Sequence, residues 1–158
     1  MDARTIPFES EFDVIGAFDV LEHIEQDNLV LSQMYQAVSP GGGIIITVPH
    51  HRFLWSQQDE YACHVRRYKT QELKDKVAQA GFEVIKTTSF VSLLLPLMMI
   101  SRLRKRNPDH AFDPLAEHRI SGLANAVLEN LLNFERALIR WGFPFPVGGS
   151  LLLVARKP

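Results

Sequence analysis

Asp19, Glu22 and His23 bring two carboxylates and an imidazole together within about one turn of chain. Such groups move protons, and their oxygen and nitrogen donors also suit a hard or borderline cation. Carboxylates near a helix start are stabilising in any case, so the favoured reading is a polar helix start without a metal. A second concentration follows: His50, His51, Trp55, Asp59, His64, Arg66, Arg67 and Tyr68 fill a segment longer than an ordinary strand-to-helix connection. An imidazole titrating near neutrality suits a general base, which makes His23, His51 and His64 candidate catalytic residues, with the choice among them open. Arg66 and Arg67 have the geometry to grip a phosphate or carboxylate. With His50, Trp55 and Tyr68 they are the candidate substrate contacts. The pairs His50-His51 and Cys63-His64 lack the two-residue gap usual in structural zinc sites, so no metal centre is expected.

These residues lie at the ends of short apolar runs. Phe12 to Phe18 reads as a buried strand. Asp27 or Asn28 can cap a helix with Leu31, Met34, Tyr35 and Val38 inward. Ser39-Pro40-Gly41-Gly42-Gly43 should end that helix. Ile44 to Val48 reads as a strand buried on both faces. Thr70 can cap a second helix with Leu73, Val77 and Ala80 inward, stopped by Gly81. Phe82 to Phe90 and Leu151 to Arg156 complete the strands, and the alternation of strand and helix predicts an α/β sheet. Between the last two strands, a helix is expected from about Ala116 to Trp141. Ile120, Ala124, Val127, Leu131, Phe134, Leu138 and Trp141 form a heptad seam on it, suited to a partner helix.

The 158 residues fit one domain, or one with a small appendage. With 46% hydrophobic and 22% charged residues the chain is not disordered, and a net charge of −1 offers nucleic acid no basic field. Cys63 is alone, which excludes an intrachain disulfide and agrees with a reducing compartment. No signal peptide is read at Met1 to Arg4, and a cytoplasmic setting is expected. Phe90 to Ile100, the most apolar stretch, is too short to span a bilayer. It runs into Arg102, Arg104, Lys105 and Arg106, a pattern that can lie on an anionic membrane; residues 90–106 are therefore a candidate peripheral membrane contact.

Taken in order, Asp2 to Phe8, FDVIGAFDVLEHI (Phe12 to Ile24), VSPGGGIIITVP (Val38 to Pro49) and AGFEV (Ala80 to Val84) resemble a class I S-adenosylmethionine-dependent methyltransferase, of the type 11/12 kind. The resemblance covers residues 1–92 and 147–158 and implies a partial Rossmann-like core, with 93–146 as a helical insertion. It implies strands equivalent to the family's 4-5-7-6, the last antiparallel. It also implies that Asp2 and Ala3 meet the adenine, that Phe18 lies beside the methionine moiety of S-adenosylmethionine, and that Asp19 is a further cofactor contact. In similar quinone-pathway O-methyltransferases the counterparts of Asp19, Glu22 and His23 can hold a divalent metal.

The family's glycine-rich loop and its ribose-binding acid have no counterpart here. The expectation is therefore the C-terminal part of a methyltransferase, with a small-molecule acceptor that is lipid- or sugar-linked in one version. As this chain, it should be inactive and bind the cofactor weakly or not at all. Loss of the front strands would bare one edge of Phe12 to Phe18, a template for association. The alternative is thus a non-enzymatic self-association module, a homodimer through that edge or the 116–141 helix. The segment Asp19-Val20-Leu21-Glu22-His23 stands where nucleic-acid methyltransferases carry an Asn/Asp-Pro-Pro-aromatic motif, so a nucleic-acid substrate is not expected.

Overall fold

In the computed structural model, residues 2–104 and 121–158 are described. β1 (Phe12–Phe18) runs parallel to β2 (Val38–Pro49), and the two pair from Phe12 with Val38 to Phe18 with Thr47. β4 (Ser150–Arg156) lies antiparallel between β2 and β3 (Glu83–Phe90), so the sheet order is β1-β2-β4-β3. This is the order and the single reversed strand that the resemblance implies.

Two crossover helices cover one face. α1 (Asp27–Ala37) joins β1 to β2, and α3 (Thr70–Gln79) joins β2 to β3. Val30, Leu31 and Met34 of α1 and Leu73 and Val77 of α3 pack with Phe82 onto Ile44, Ile46 and Val48, and onto Leu151, Leu153 and Ala155. Burying a side chain of this size stabilises the fold by roughly 1.5–3 kcal/mol. The other face is only partly covered. Phe18 pairs with Thr47 and Gly16 with Ile45, so these four share that face, and Phe18 is 60% exposed. β2 is therefore not buried on both sides as its composition suggests: Ile45 and Thr47 are only half-buried.

The glycine run does not separate helix from strand. α1 ends at Ala37 and β2 starts at Val38, but pairing with β1 then jumps from Phe12–Val38 to Val14–Gly43. Residues 39–42 bulge out of the ladder. A Cβ on Gly43 would lie 2.5 Å from the Ala155 carbonyl oxygen, and one on Gly42 would lie 2.6 Å from that of Asp13. Only glycine fits either place.

Both expected caps are also corrected. Gln26 occupies the cap of α1 and Lys69 that of α3. The Asp27 and Thr70 side chains point elsewhere because buried partners claim them. α2 (Gln57–Tyr61) is a short helix in the loop after β2, opened by a capping box between Ser56 and Asp59.

α4 (Leu95–Arg104) and α5 (Gly122–Arg140) stand between β3 and β4. Ser121 caps α5 through the Ala124 amide; Ala116 to Ile120, Lys105 and Arg106 lie outside the described residues. Glu135, buried on α5, accepts the Ser92 and Leu93 amides at 2.9 and 2.8 Å, and Lys86 of β3 donates to the Ile139 carbonyl. These bonds dock α5 beside β3. The expected seam is not the docking face: Val127, Phe134 and Trp141 are exposed and Leu131 and Leu138 half-buried. At 100° per residue, Leu123, Val127, Phe134 and Trp141 fall within about 40° of one another on the outer side of α5. No described helix is long and apolar enough to cross a membrane.

Candidate functional site

The two parallel strands end side by side, and each leaves the sheet through a non-glycine residue in the left-handed region: Asp19 (φ 51°) after β1 and His51 (φ 58°) after β2. A third, Cys63 (φ 57°), turns the loop just before His64. Such conformations cost of order 1 kcal/mol or more each and cluster at functional sites. Asp19 is tied to β2 by its amide on the Thr47 carbonyl, and the Thr47 hydroxyl reaches its carboxylate at 3.5 Å. Next comes a single tight turn, Leu21–His23. It buries Leu21 and Glu22 completely and leaves the His23 side chain 40% exposed.

The loop after β2 is built around two buried acids. Asp59 accepts Arg67 Nε at 2.6 Å and Arg67 Nη2 at 3.1 Å, the Ser56 amide at 2.8 Å, and His64 Nδ1 at 2.9 Å. Burial alone would raise its pKa; the Arg67 and His64 hydrogen bonds hold it below the usual carboxylate range. Asp27 accepts Arg66 and the Tyr68 hydroxyl at 2.7 Å each and Lys76 at 2.8 Å. Burial opposes these bonds too, and the Lys76, Tyr68 and Arg66 partners again bring the carboxyl down. The Tyr68 phenol is pushed up by burial and by its bond to Asp27.

Arg66, Arg67 and Tyr68, expected to touch substrate, are thus spent inside the chain: the two guanidiniums pin the loop to α1 and α2. His50 is fully buried, with Nε2 3.1 Å from the Thr70 hydroxyl and Nδ1 2.9 Å from that of Ser89. Burial, and then the neighbouring His51, lower its pKa to about 4. His51 stacks on His50 with ring centroids 3.6 Å apart; its Nε2 is buried with no hydrogen-bond partner, and burial lowers its pKa. Trp55 is exposed and donates to Glu60.

Glu22 is the anomaly. It is 0% exposed and neither carboxylate oxygen has a hydrogen-bond partner. His23 Nε2 and His64 Nε2 each lie 4.0 Å from its Oε1, and the two rings meet edge to face with centroids 4.8 Å apart. Burial first, and then the Asp19 charge, push the Glu22 pKa up to about 7. The ligand atoms of Glu22, His23 and His64 spread over as much as 4.8 Å. A cation with bonds of about 2.0–2.2 Å can join atoms no more than about 4.4 Å apart, so the trio would have to contract to hold one.

Near the N-terminus, the Asp2 carboxylate is gripped by Arg4 through Nε, Nη2 and the backbone amide, and these bonds hold its pKa down to about 2. Ala3 packs against the edge of the core. The structure therefore brings Glu22, His23 and His64 together, sets the Asp19 charge near Glu22 at the end of β1, leaves Phe18 exposed on the open sheet face, and stacks His50 on His51. Asp59 was expected only as one of the polar residues of the loop and Asp27 only as a helix cap; the structure makes them the two acids that organise the loop. The Ser56-Gln57-Gln58-Asp59 spacing, a capping-box pattern, is the signal that points to Asp59.

A methyltransferase-domain family model matches residues 3–87. The chain is 24% identical over 157 residues to phosphoethanolamine N-methyltransferase 2 of Caenorhabditis elegans, covering 92% of this chain and 36% of that protein. It thus spans about a third of that relative's length. Among solved structures, Haemonchus contortus phosphoethanolamine N-methyltransferase 2 in complex with S-adenosyl-L-methionine matches with a TM-score of 0.55. The identity is 20%, over 99% of this chain and 36% of the other. The cyclase SpnF matches with a TM-score of 0.56 at 19% identity, over 100% of this chain and 55% of the other. These similarities establish the fold, and the presence of a cyclase shows that this fold hosts other chemistry.

Proposed function

The chain belongs to the methyltransferase-domain family, and from that premise we propose that it forms part of an S-adenosylmethionine-dependent methyltransferase with a small-molecule acceptor. The observation that carries this reading is that Phe18 and Asp19 stand at the carboxyl end of β1, with His23 in the turn just beyond, where open α/β sheets bind ligands. When bound, the donor supplies a methyl group on a sulfonium; the acceptor's lone pair takes it, and the sulfur–carbon bond breaks. The exposed ring of Phe18, whose Cε2 would lie 2.7 Å from a Cβ placed on Gly16, fits an apolar methionine chain, and Asp19 fits its amino end. Asp2 fits the adenine less well, because meeting it means releasing Arg4.

Of the three candidate bases, this reading gives the acceptor's proton to His23, the most exposed of the three. His64 has Nδ1 on Asp59, and His51 is stacked against His50 with a buried Nε2. The relatives make a phosphorylated ethanolamine the first acceptor to try. With Arg66 and Arg67 already paired, its phosphate would need another cation. Residues 1–92 with 147–158 serve as the core in this reading, and 93–146 as a helical insertion.

With no glycine-rich loop in this sequence, the chain by itself should hold the donor weakly and turn nothing over. Titration with S-adenosylhomocysteine, followed by amide NMR, should give small, unsaturated shifts confined to Ala3, Phe18, Asp19 and His23. Shifts confined to other residues, or micromolar binding in calorimetry, would overturn the reading.

A second reading, self-association, is favoured by the β1 edge and the exposed outer stripe of α5. Light scattering that finds a monomer at every concentration would remove it. A membrane contact through α4, where Leu97, Met99 and Ile100 are exposed, is tested by flotation on anionic liposomes; a chain that never co-floats removes that idea.

A further inference from the structure

We propose that the hollow at the carboxyl end of β3, lined by Thr70, Thr87, Ser89 and Phe145, binds a small uncharged molecule of about one ring that carries an accepting oxygen. β3 is the outer strand of the sheet, on the far side from β1, so the site needs neither the methyl donor nor the role given to His23. β4 runs antiparallel to both of its neighbours. β3 therefore points the same way as β1 and β2 and finishes at the end of the sheet where open α/β folds take ligands. The chain returning from α5 completes the wall: the Ser89 amide donates to the Phe145 carbonyl at 2.8 Å, and the Phe145 amide to the Thr88 hydroxyl at 3.1 Å. The hollow they hold open measures about 270 Å³. That is just below the roughly 300–1,000 Å³ of sites for drug-sized molecules, which limits the occupant to about one ring. No charged side chain lines it, so an ionic occupant would lose its water without gaining a partner.

The accepting oxygen follows from the hydroxyls around His50. Its Nδ1 lies 2.9 Å from the Ser89 hydroxyl and its Nε2 3.1 Å from that of Thr70, and no carboxylate bonds to the ring among the described residues. Burial keeps the imidazole neutral. A neutral ring between two hydroxyls has three hydrogens for two bonds, so one hydroxyl hydrogen is always left over. Burial also decides which one. Ser89 is 1% exposed, and its hydroxyl has no other partner among the described residues, so a spare hydrogen there would be stranded in the interior. Ser89 therefore donates to Nδ1, His50 donates from Nε2 to Thr70, and the Thr70 hydrogen is the one left over. Thr70 is half-buried on the wall of the hollow, where that hydrogen can be donated to an occupant. The Thr88 hydroxyl is already spent between the Ser89 carbonyl and the Phe145 amide.

The test uses the whole chain and two probes. Cyclohexanone, titrated while amide NMR is recorded, should give saturable shifts at Thr70, Thr87 and Phe145. Cyclohexylammonium, a ring of the same size with a charge, should give none there. Imidazole-nitrogen NMR at neutral pH should show the His50 hydrogen on Nε2 and a bare Nδ1. Thr70→Val keeps the shape and removes the hydroxyl; it should weaken the ketone about three- to tenfold, the range for one hydrogen bond, and Thr70→Ser should restore it. Should Thr70→Val fail to fold, Phe145→Ala, which leaves the hydroxyl chain intact, must still weaken the ketone by at least about threefold through lost apolar contact. Shifts that fall elsewhere, never saturate or are reproduced by the ammonium would overturn the inference. So would a His50 hydrogen on Nδ1, or a Thr70→Val variant that binds the ketone unchanged.

Discussion

Replacing Glu22 by Gln should make the protein more stable than the original at alkaline pH, by an amount that grows with pH. The folded carboxyl titrates at about 7 and the free one at 4.5, the difference coming mainly from burial. For a folded pKa raised above the unfolded one, the stabilisation is complete below the unfolded value and is lost as pH rises through the folded value. Over that interval the full effect is roughly 3 kcal/mol at 1.36 kcal/mol per pH unit. Between pH 5 and pH 8 it comes to about 2.5 kcal/mol, because part is already lost at pH 5. Gln keeps the shape and removes the charge, so the difference between the two proteins isolates this contribution from every other titrating group. Urea denaturation at pH 5, 6, 7 and 8 reads it; with a slope of about 1–3 kcal/mol per molar, the midpoint of the variant should gain about 1–2 M on the original across the range. A difference that stays flat with pH would refute the reasoning, since it would mean that Glu22 remains ionised without penalty or finds a partner in solution.

His50 acts with the opposite sign. Its folded pKa of about 4 lies below the ordinary 6.5, so stability is complete above 6.5 and falls by up to roughly 3 kcal/mol as pH drops toward 4; a His50→Gln variant should lose that acid sensitivity in the same denaturation series. Arg67→Ala leaves the buried Asp59 charge unpaired and should cost about 3–5 kcal/mol in urea unfolding, whereas a loss under about 1 kcal/mol would show that the loop does not depend on this pair. Gly43→Ala drives a methyl into the Ala155 carbonyl oxygen and should cost about 1–3 kcal/mol, read as a lower melting temperature. Trp141→Ser, at a side chain 84% exposed, should leave the unfolding free energy within about 0.5 kcal/mol of unchanged while reducing any self-association seen by sedimentation.

Strand positions were legible because their runs are β-branched and bounded by Pro or Gly, and Phe12–Phe18 matches to the residue. What failed was the fate of side chains that can serve two masters. Asp27 and Thr70 have the right type and place for capping, but a cap bond is worth only about 1 kcal/mol, and buried partners outbid it. Arg66 and Arg67 looked free because the acids that take them lie 39 and 8 residues away in sequence. The α5 seam has sound periodicity, yet periodicity cannot tell which side of an apolar arc half a turn wide will meet the sheet. Glu135 decides that by gripping the Ser92 and Leu93 amides, a long-range choice no local pattern encodes. The Glu22, His23 and His64 grouping was half visible: the first two are neighbours, while His64 arrives through the Cys63 turn.

The placement of β4 between β2 and β3 has a consequence for synthesis. A chain growing from its amino end completes β2 at Pro49 and β3 at Phe90, yet the two have no common hydrogen-bonded edge until Ser150 to Arg156 emerges and slides between them. Until then β2 and β3 each lack a partner along the edge that β4 later fills. Assembly of the described sheet must therefore wait for β4, a long-range step that favours slow folding.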